Sequence, residues 1–321
     1  MNSKTKIWLV VAMLLMVAGV LIFLVSMVLN GWNLELLSTV KYETNEHEIT
    51  DVFNSISVKT DTADINFILS EDGKSKVICH EPEKENHSVT VKSDTLIIES
   101  QKNKKWYEYI GISFDSPGIT IYLTENEYLA LNINGSTGDI VITKDFSFES
   151  IDITVSTGSV KNYASASGKI KIESSTGNIY TEGVSANEIA LSVSTGSVTA
   201  CNVKCARDFV LNVSTGKSEI KDIECKNLIS NGNTGEFFLK NVIVSEKMSI
   251  ERSTGDIEID GCDACEIWIK TDTGDVNGTL LSDKVFIVES DTGRKDVPES
   301  VTGGKCEITT DTGDIKIKIK R

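Results

Sequence analysis

A turn-forming tetrapeptide returns at an almost constant interval, and that interval restricts the folds open to the chain. It reads Ser136-Thr137-Gly138-Asp139, Ser156-Thr157-Gly158-Ser159, Ser175-Thr176-Gly177-Asn178, Ser194-Thr195-Gly196-Ser197 and Ser214-Thr215-Gly216-Lys217. It continues as Asn233-Thr234-Gly235-Glu236, Ser253-Thr254-Gly255-Asp256, Asp272-Thr273-Gly274-Asp275, Asp291-Thr292-Gly293-Arg294 and Asp311-Thr312-Gly313-Asp314. The ten glycines are spaced 20, 19, 19, 20, 19, 20, 19, 19 and 20 residues apart. A fixed period near 20 is the signature of a stacked repeat.

The flanks say what each repeat is made of. Seven and five residues before the glycines stand apolar pairs such as Leu131/Ile133, Ile151/Ile153, Ile170/Ile172, Ile189/Leu191 and Ile267/Ile269. Two and four residues after them stand Ile140/Ile142, Phe237/Leu239, Ile257/Ile259 and Ile315/Ile317. A third set follows at plus seven and plus nine: Val184/Ala186, Val203/Cys205, Ile223/Cys225, Val242/Val244 and Cys262/Ala264. Period-two alternation marks strands with one buried face. Two or three short strands per repeat, stacked in parallel, make an all-β parallel β-solenoid of about ten 19–20-residue rungs, preceded by one N-terminal transmembrane helix. At about 4.8 Å per strand the ten rungs give a rod of roughly 48 Å. Ser, Asp or Asn two residues before each glycine can bond local N–H groups, glycine supplies positive φ, and the threonines are expected to stack along one corner.

The N-terminal part differs. Ile7 to Leu29 is a run of 23 uncharged residues, about 35 Å as a helix and long enough for a hydrocarbon core of roughly 30 Å. Lys4 and Lys6 precede it, Glu35 is the first charge after it, and Trp8 and Trp32 lie near its ends. The positive-inside rule then places the N-terminus in the cytoplasm and the rest outside. A cleaved signal peptide is the competing reading. The run exceeds the usual apolar length of about 7–15 residues and ends without a small-residue cleavage pair, so an uncleaved single-pass anchor in the cell membrane is expected. Organisation follows as 1–30 stub and anchor, 31–40 tether, 41–130 irregular β start and cap, and 131–321 solenoid. Within the third part Thr62-Ala63-Asp64-Ile65 resembles a worn copy of the repeat. Val77/Cys79, Val89/Val91, Leu96/Ile98 and Ile119/Ile121/Leu123 read there as strands in hairpin-like spacing, with 81–86 as a loop.

The charge balance narrows the partners. With 32 basic and 47 acidic residues the net charge is −15, and a basic surface for nucleic acid is missing. The three histidines, His47, His80 and His87, are expected on the surface. Asp272-Thr273-Gly274, Asp291-Thr292-Gly293 and Asp311-Thr312-Gly313 spell the aspartic-protease triplet, but the turn column accounts for them. Stacked acids in those turns, Asp272 on Asp291, Asp291 on Asp311, and Asp256 on Asp275, with Asp314, are candidate Ca²⁺ ligands, against the simpler reading of solvated turn acids. Of the seven cysteines, Cys205, Cys225, Cys262 and Cys306 share inward apolar columns and read as core thiols. Cys262-x-x-Cys265 has half of a zinc-site spacing with no second pair. No cofactor is expected. Lys102, Lys104, Lys105, Trp106, Tyr107 and Tyr109 form the single basic-aromatic cluster, a candidate binding patch or a cover for the open end of the stack. Lys316, Lys318 and Lys320, alternating along the final strand, would guard that edge against further pairing.

From residue 41 to 321 the chain resembles the bacterial envelope β-strand-repeat proteins called putative adhesins (domain of unknown function 4097). The Thr-Gly-Asp-Ile type repeats carry the resemblance, with Thr62-Ala63-Asp64-Ile65, Lys104-Lys105-Trp106 and Ile119-Thr120-Ile121-Tyr122-Leu123. Thr124 departs from the proline usual after the last segment. The resemblance implies exposure at the cell surface and, in some members, association with envelope-stress signalling. It brings no catalytic residues. The expected function is a non-catalytic interaction module whose partner is another envelope protein or an extracellular polymer. A self-assembling scaffold is the alternative. A polysaccharide-active β-helix would need loop insertions that the 19–20-residue regularity leaves no room for.

Overall fold

The computed structural model describes residues 3–32, 38–101, 113 and 115–320. Ser3–Leu29 is one helix, and its span Lys4–Leu29 is long and apolar enough to cross a membrane, with none of its apolar window packed against the rest of the protein. Beyond it the chain is a parallel β-solenoid. Segments preceding each Thr-Gly stack into a first wall, where Ile151 and Ile153 sit between Leu131/Ile133 on one side and Ile170/Ile172 on the other. Segments following it form a second wall, with Val160 between Ile140 and Ile179. A third strip runs through the middle rungs only, pairing Val203, Ile223 and Val242 and then Cys205, Cys225 and Val244. The inward columns are buried because parallel in-register pairing repeats each alternation on the rung above.

Two turn ladders hold the corners. Thr62, Thr137, Thr157, Thr176, Thr195, Thr215, Thr234, Thr254, Thr273, Thr312 and Thr292 follow one another in register, as the repeat predicts. Ala63 takes the glycine position of the worn first copy, its N–H donating to Thr137 O at 3.0 Å. The residue after the glycine ties one rung to the next. Its side-chain oxygen accepts the backbone N–H one rung on, from Ser159 to Asp139 at 2.7 Å, Ser197 to Asn178 at 2.9 Å and Asp275 to Asp256 at 2.8 Å. The second ladder lies six residues beyond the glycines. Gly183, Asn202, Asp222, Asn241 and Gly261 all hold φ between 51° and 69°, the region that Gly, Asn and Asp tolerate best.

The alternation of 19 and 20 is absorbed at one corner. Between the rungs at Gly196 and Gly216 the offset is 20 up to Cys205/Cys225 and becomes 19 from Asp208/Asn227. It returns to 20 between Cys225/Val244 and Asn227/Lys247. A bulge where the third strip joins the first wall takes the extra residue each time.

The stacking order departs from chain order at both ends. At the end that follows the N-terminal helix in sequence, Ser55–Thr62 pairs with Thr95–Ser100 on one side and Glu127–Thr137 on the other, and Asp64–Leu69 lies likewise between Gly118–Leu123 and Ile140–Ile142. The worn copy is thus an inner rung. Antiparallel strands cover the outside of this end: His87–Lys92 on the first wall, then Ser75–Pro82 and Tyr42–Ile49 on the second. At the other end Gly304–Thr312 pairs with both Ile257–Thr273 and Lys284–Thr292, so the Gly313 repeat is inserted between those of Gly274 and Gly293. The expected order Asp272–Asp291–Asp311 is therefore corrected to Asp272–Asp311–Asp291. Ile315–Ile319, expected as an edge guarded by lysines, pairs along its whole length with Val276–Leu280, and Lys295–Asp296 covers its other side at Ile315 and Lys316 alone. The edge is Lys284–Thr292, with Val285 and Ile287 exposed. Identical copies of a turn leave such an exchange without a mark in the periodicity.

Candidate functional site

The bulged corner is also where the surface is concave. The inward column of the third strip nearest the first wall holds mostly small residues, Ala166, Ala186, Cys205, Cys225 and Ala264, with Val244 the largest in that stretch. The groove left outside crosses successive rungs. One end, of about 660 Å³, is lined by Asn54, Tyr128, Leu129, Phe148 and Ser165. The other, of about 530 Å³, is lined by Asn187, Lys204, Glu224, Lys226 and Ser245. Ala166, Ser167 and Ser185 belong to both and make the groove continuous. Phe53, Tyr128 and Phe148 stack beneath the first end, ring centroids 5.8 and 6.0 Å apart, and burial pushes the Tyr128 hydroxyl up to about 12. Lys204 faces Glu224 at 3.9 Å at the other end. The shape is that of an open trough: Glu127 and Glu149 over buried rings at one end, hydroxyl- and amide-lined in the middle, with charges of both signs at the other.

A second constellation lies inside the cap. Alternation along Ser75–Pro82 turns Val77, Cys79 and Glu81 inward, and the alternation of Val89 and Val91 carries His87 inward as well. His87, expected at the surface, is buried at 7% exposure beside Glu81 at 1% and Cys79 at 0%. Glu81 Oε2 lies 2.6 Å from His87 Nδ1 and accepts the His87 backbone N–H at 2.8 Å. His87 Nε2 lies 2.9 Å from Thr60 Oγ1 on the first wall. Glu81 Oε1 accepts Asn45 Nδ2 at 2.9 Å, and the same amide donates to Glu43 Oε1 at 2.9 Å. Among the described residues Cys79, Glu81 and His87 are the only three acidic, cysteine or histidine residues whose ligand atoms all lie within 4.8 Å of one another. Burial, then the nearby Glu81 charge, pushes the Cys79 thiol up to about 12. His80 is partly exposed, 2.8 Å from Asp115 Oδ2.

The turn acids are distributed differently. Asp256, Asp275 and Asp314 each spend one carboxylate oxygen on the next rung's N–H, at 2.8, 2.7 and 2.8 Å. The Arg294 backbone N–H and guanidinium also hold the Asp314 carboxyl below its ordinary value. Asp272, Asp311 and Asp291 follow one another at the exposed corner. Cys205, Cys225, Cys262 and Cys306 are buried free thiols, whereas Cys265 is exposed, so Cys262 and Cys265 do not share an environment. Lys102, Lys104, Lys105, Trp106, Tyr107 and Tyr109 lie outside the described residues.

Among solved structures the chain is similar to a "putative adhesin" from Parabacteroides merdae, at 13% identity and a TM-score of 0.51, covering 87% of this chain and 97% of that one. It is also similar to a "putative lipid binding protein" from Parabacteroides distasonis, at 18% identity and a TM-score of 0.49 over 88% and 98% of the two chains. A likeness at these identities bears on the fold alone. None of the curated proteins matches the chain in sequence. The family model described as Toastrack DUF4097 matches residues 53–318. The stacked Thr-Gly rungs and that match together assign this chain to the Toastrack DUF4097 family.

Proposed function

We propose that the protein is a single-pass, membrane-anchored, non-catalytic binding module whose solenoid lies outside the cytoplasm and receives an envelope component in the side groove. The observation that carries this reading is the groove itself, continuous across rungs and open along its length. Its lining carries Glu127 and Glu149 at one end and Lys204, Glu224 and Lys226 at the other, with Lys204 and Glu224 3.9 Å apart. Lys4 and Lys6 before the apolar helix support an N-terminus in the cytoplasm. The solenoid side of the membrane would then carry 30 basic and 47 acidic residues, which disfavours lying flat on anionic lipid. A short 31–40 tether keeps the domain near the bilayer and favours a membrane protein as partner over a distant surface.

Photo-crosslinking in the native membrane tests this. A crosslinker placed at Ser167 or Ser185 in the full-length protein should give a discrete adduct with an envelope protein or polymer. The same crosslinker at Lys161, on the outer face of the second wall, should give little. Equal labelling from both faces would overturn the groove as the binding surface.

One observation favours a second reading, the self-assembling scaffold. Among the described residues the Lys284–Thr292 edge has no strand on its outer side, and it exposes Val285 and Ile287, the arrangement through which sheets extend. Sedimentation of the full-length protein in micelles, with and without Ile287→Lys, separates the two: a dimer that the lysine dissolves supports assembly, and a monomer in both cases removes it.

A further inference from the structure

We infer that Cys79, Glu81 and His87 form a binding site for a Zn²⁺-class divalent cation inside the cap. The three donors come from two strands whose inward alternation aims them at one point: Cys79 and Glu81 two residues apart on Ser75–Pro82, and His87 on His87–Lys92. Their ligand atoms already lie within 4.8 Å of one another. In a tetrahedral site with metal–ligand distances of about 2.0–2.3 Å the donors stand roughly 3.3–3.7 Å apart. Cys79 Sγ, within 4.8 Å of the other two donors, closes by up to about 1.2 Å, and His87 Nδ1 and Glu81 Oε2, now 2.6 Å apart, open by under about 1 Å. Thiolate, imidazole and carboxylate together suit a borderline-soft ion better than Ca²⁺ or Mg²⁺, which take oxygen alone.

Three further features point the same way. Both remaining ligand atoms are already oriented by partners: Thr60 Oγ1 stands 2.9 Å from His87 Nε2, and Asn45 Nδ2 donates to Glu81 Oε1 at 2.9 Å. This is the outer arrangement that fixes tautomer and carboxylate orientation at metal sites. Glu43 stands directly opposite Glu81 across the antiparallel pair, and the Asn45 amide bridges the two carboxylates. A divalent cation balances that paired negative charge. Finally, His47 Nε2 and Asn86 Oδ1 are buried without a hydrogen-bond partner among the described residues. His47 is two residues from Asn45 on the same face of its strand and Asn86 immediately precedes His87, so unspent acceptor capacity borders the site.

On binding, the cation replaces the proton on Cys79 Sγ, which leaves to solvent. The imidazole keeps one proton, now on Nε2 and donated to Thr60 Oγ1. Burial holds the free thiol up near 12, so binding should release a proton and strengthen with pH.

The test uses the full-length protein in detergent micelles, stripped with a chelator and titrated with Co²⁺ and then Zn²⁺. Expected is one Co²⁺ per chain with a thiolate-to-cobalt charge-transfer band, displaced by Zn²⁺, and a Zn²⁺-dependent rise in melting temperature. Cys79→Ser should abolish the band while circular dichroism stays that of the folded protein. Thr60→Val, which leaves all three ligands in place, should weaken binding roughly 10–100-fold. The absence of a band at equimolar Co²⁺ would overturn the site. So would a band that survives Cys79→Ser, or one that disappears with the exposed thiol in Cys265→Ser.

Discussion

Two glycines with positive φ give a quantitative test of how the Thr-Gly corner is held. Gly216 has φ +140° and its N–H donates to Thr234 O at 2.8 Å. A Cβ there would overlap the carbonyl oxygen of Gly196. That oxygen cannot yield, because Gly196 is itself stacked on Gly177 in the same way. Gly183 has φ +69° and nothing within 4 Å of the position a Cβ would take. Alanine at Gly183 therefore meets only the left-handed penalty of about 1–2 kcal/mol, partly offset by about 0.4–1 kcal/mol from a less flexible unfolded chain. Alanine at Gly216 meets a backbone penalty of about 1–3 kcal/mol and loses one or two corner hydrogen bonds at about 0.5–1.5 kcal/mol each. The expected losses are about 1 kcal/mol for Gly183→Ala and about 3–5 kcal/mol for Gly216→Ala. Urea unfolding of the full-length protein in micelles measures both. Native-state hydrogen exchange should place the Gly216 damage in the rungs from Gly196 to Gly235, since each rung leans only on its neighbours. Equal losses at the two positions would refute the account of the corner as a close-packed glycine column.

Three other outcomes follow from single side chains. Arg252 is 2% exposed and its guanidinium meets Ser230 Oγ at 2.9 Å, Ser218 Oγ at 3.4 Å and the Phe237 ring at 4.7 Å, with no carboxylate among the described residues. Burial alone brings it down to about 10, so Arg252→Met should leave melting unchanged or add up to about 2 kcal/mol, and a loss above about 1 kcal/mol would show that the hydroxyl contacts dominate. Asp314 has a lowered folded pKa, so its tie to Arg294 is intact above the ordinary aspartate value of about 3.9 and is lost as pH falls through the lower folded one. Exchange at residues 294–296 should accelerate on that acid side in the wild type and be fast at all pH in Asp314→Ala; identical pH profiles would discount the tie. Cys225 and Cys306, each pushed up to about 12 by burial, should resist maleimide in the native protein while Cys265 reacts at once. Native labelling of Cys225 or Cys306 would mean that the core opens.

Period and alternation carry most of the architecture. Ile151 and Ile153 repeat in Ile170 and Ile172 because both must meet the same interior, and register follows from burial. The second turn is written just as plainly in Gly183, Asn202, Asp222, Asn241 and Gly261, but three residue types share that column and only their common tolerance of positive φ unites them. The cap cluster has a local signal too. Extending the Val77/Cys79 alternation by two residues turns Glu81 inward, and extending Val91/Val89 back by two turns His87 inward. A loop over 81–86 hides Glu81 and its neighbours, because the turn that forms there begins only after Pro82 and ends just before His87. The order of rungs at the ends has no such signal. Asp272-Thr273-Gly274, Asp291-Thr292-Gly293 and Asp311-Thr312-Gly313 are chemically interchangeable, whereas the edge strand differs in its buried Lys284. Its Nζ lies 2.6 Å from Asp263 Oδ1 under the edge.

The inserted Gly313 repeat bears on how a protein of this kind can lengthen. A turn duplicated between Gly158 and Gly255 would meet, above and below, the partners its parent met, and the rod would grow by one step. A copy added after Gly304–Ile319 would find both flanks occupied along Gly304–Thr312 and at Ile315 and Lys316, by Ile257–Leu280 on one side and Lys284–Asp296 on the other. To join, it would have to pass beyond its own precursor to the outer edge. Differences in length among relatives should therefore fall in the interior of the stack, with the interlocked end kept as a fixed terminus.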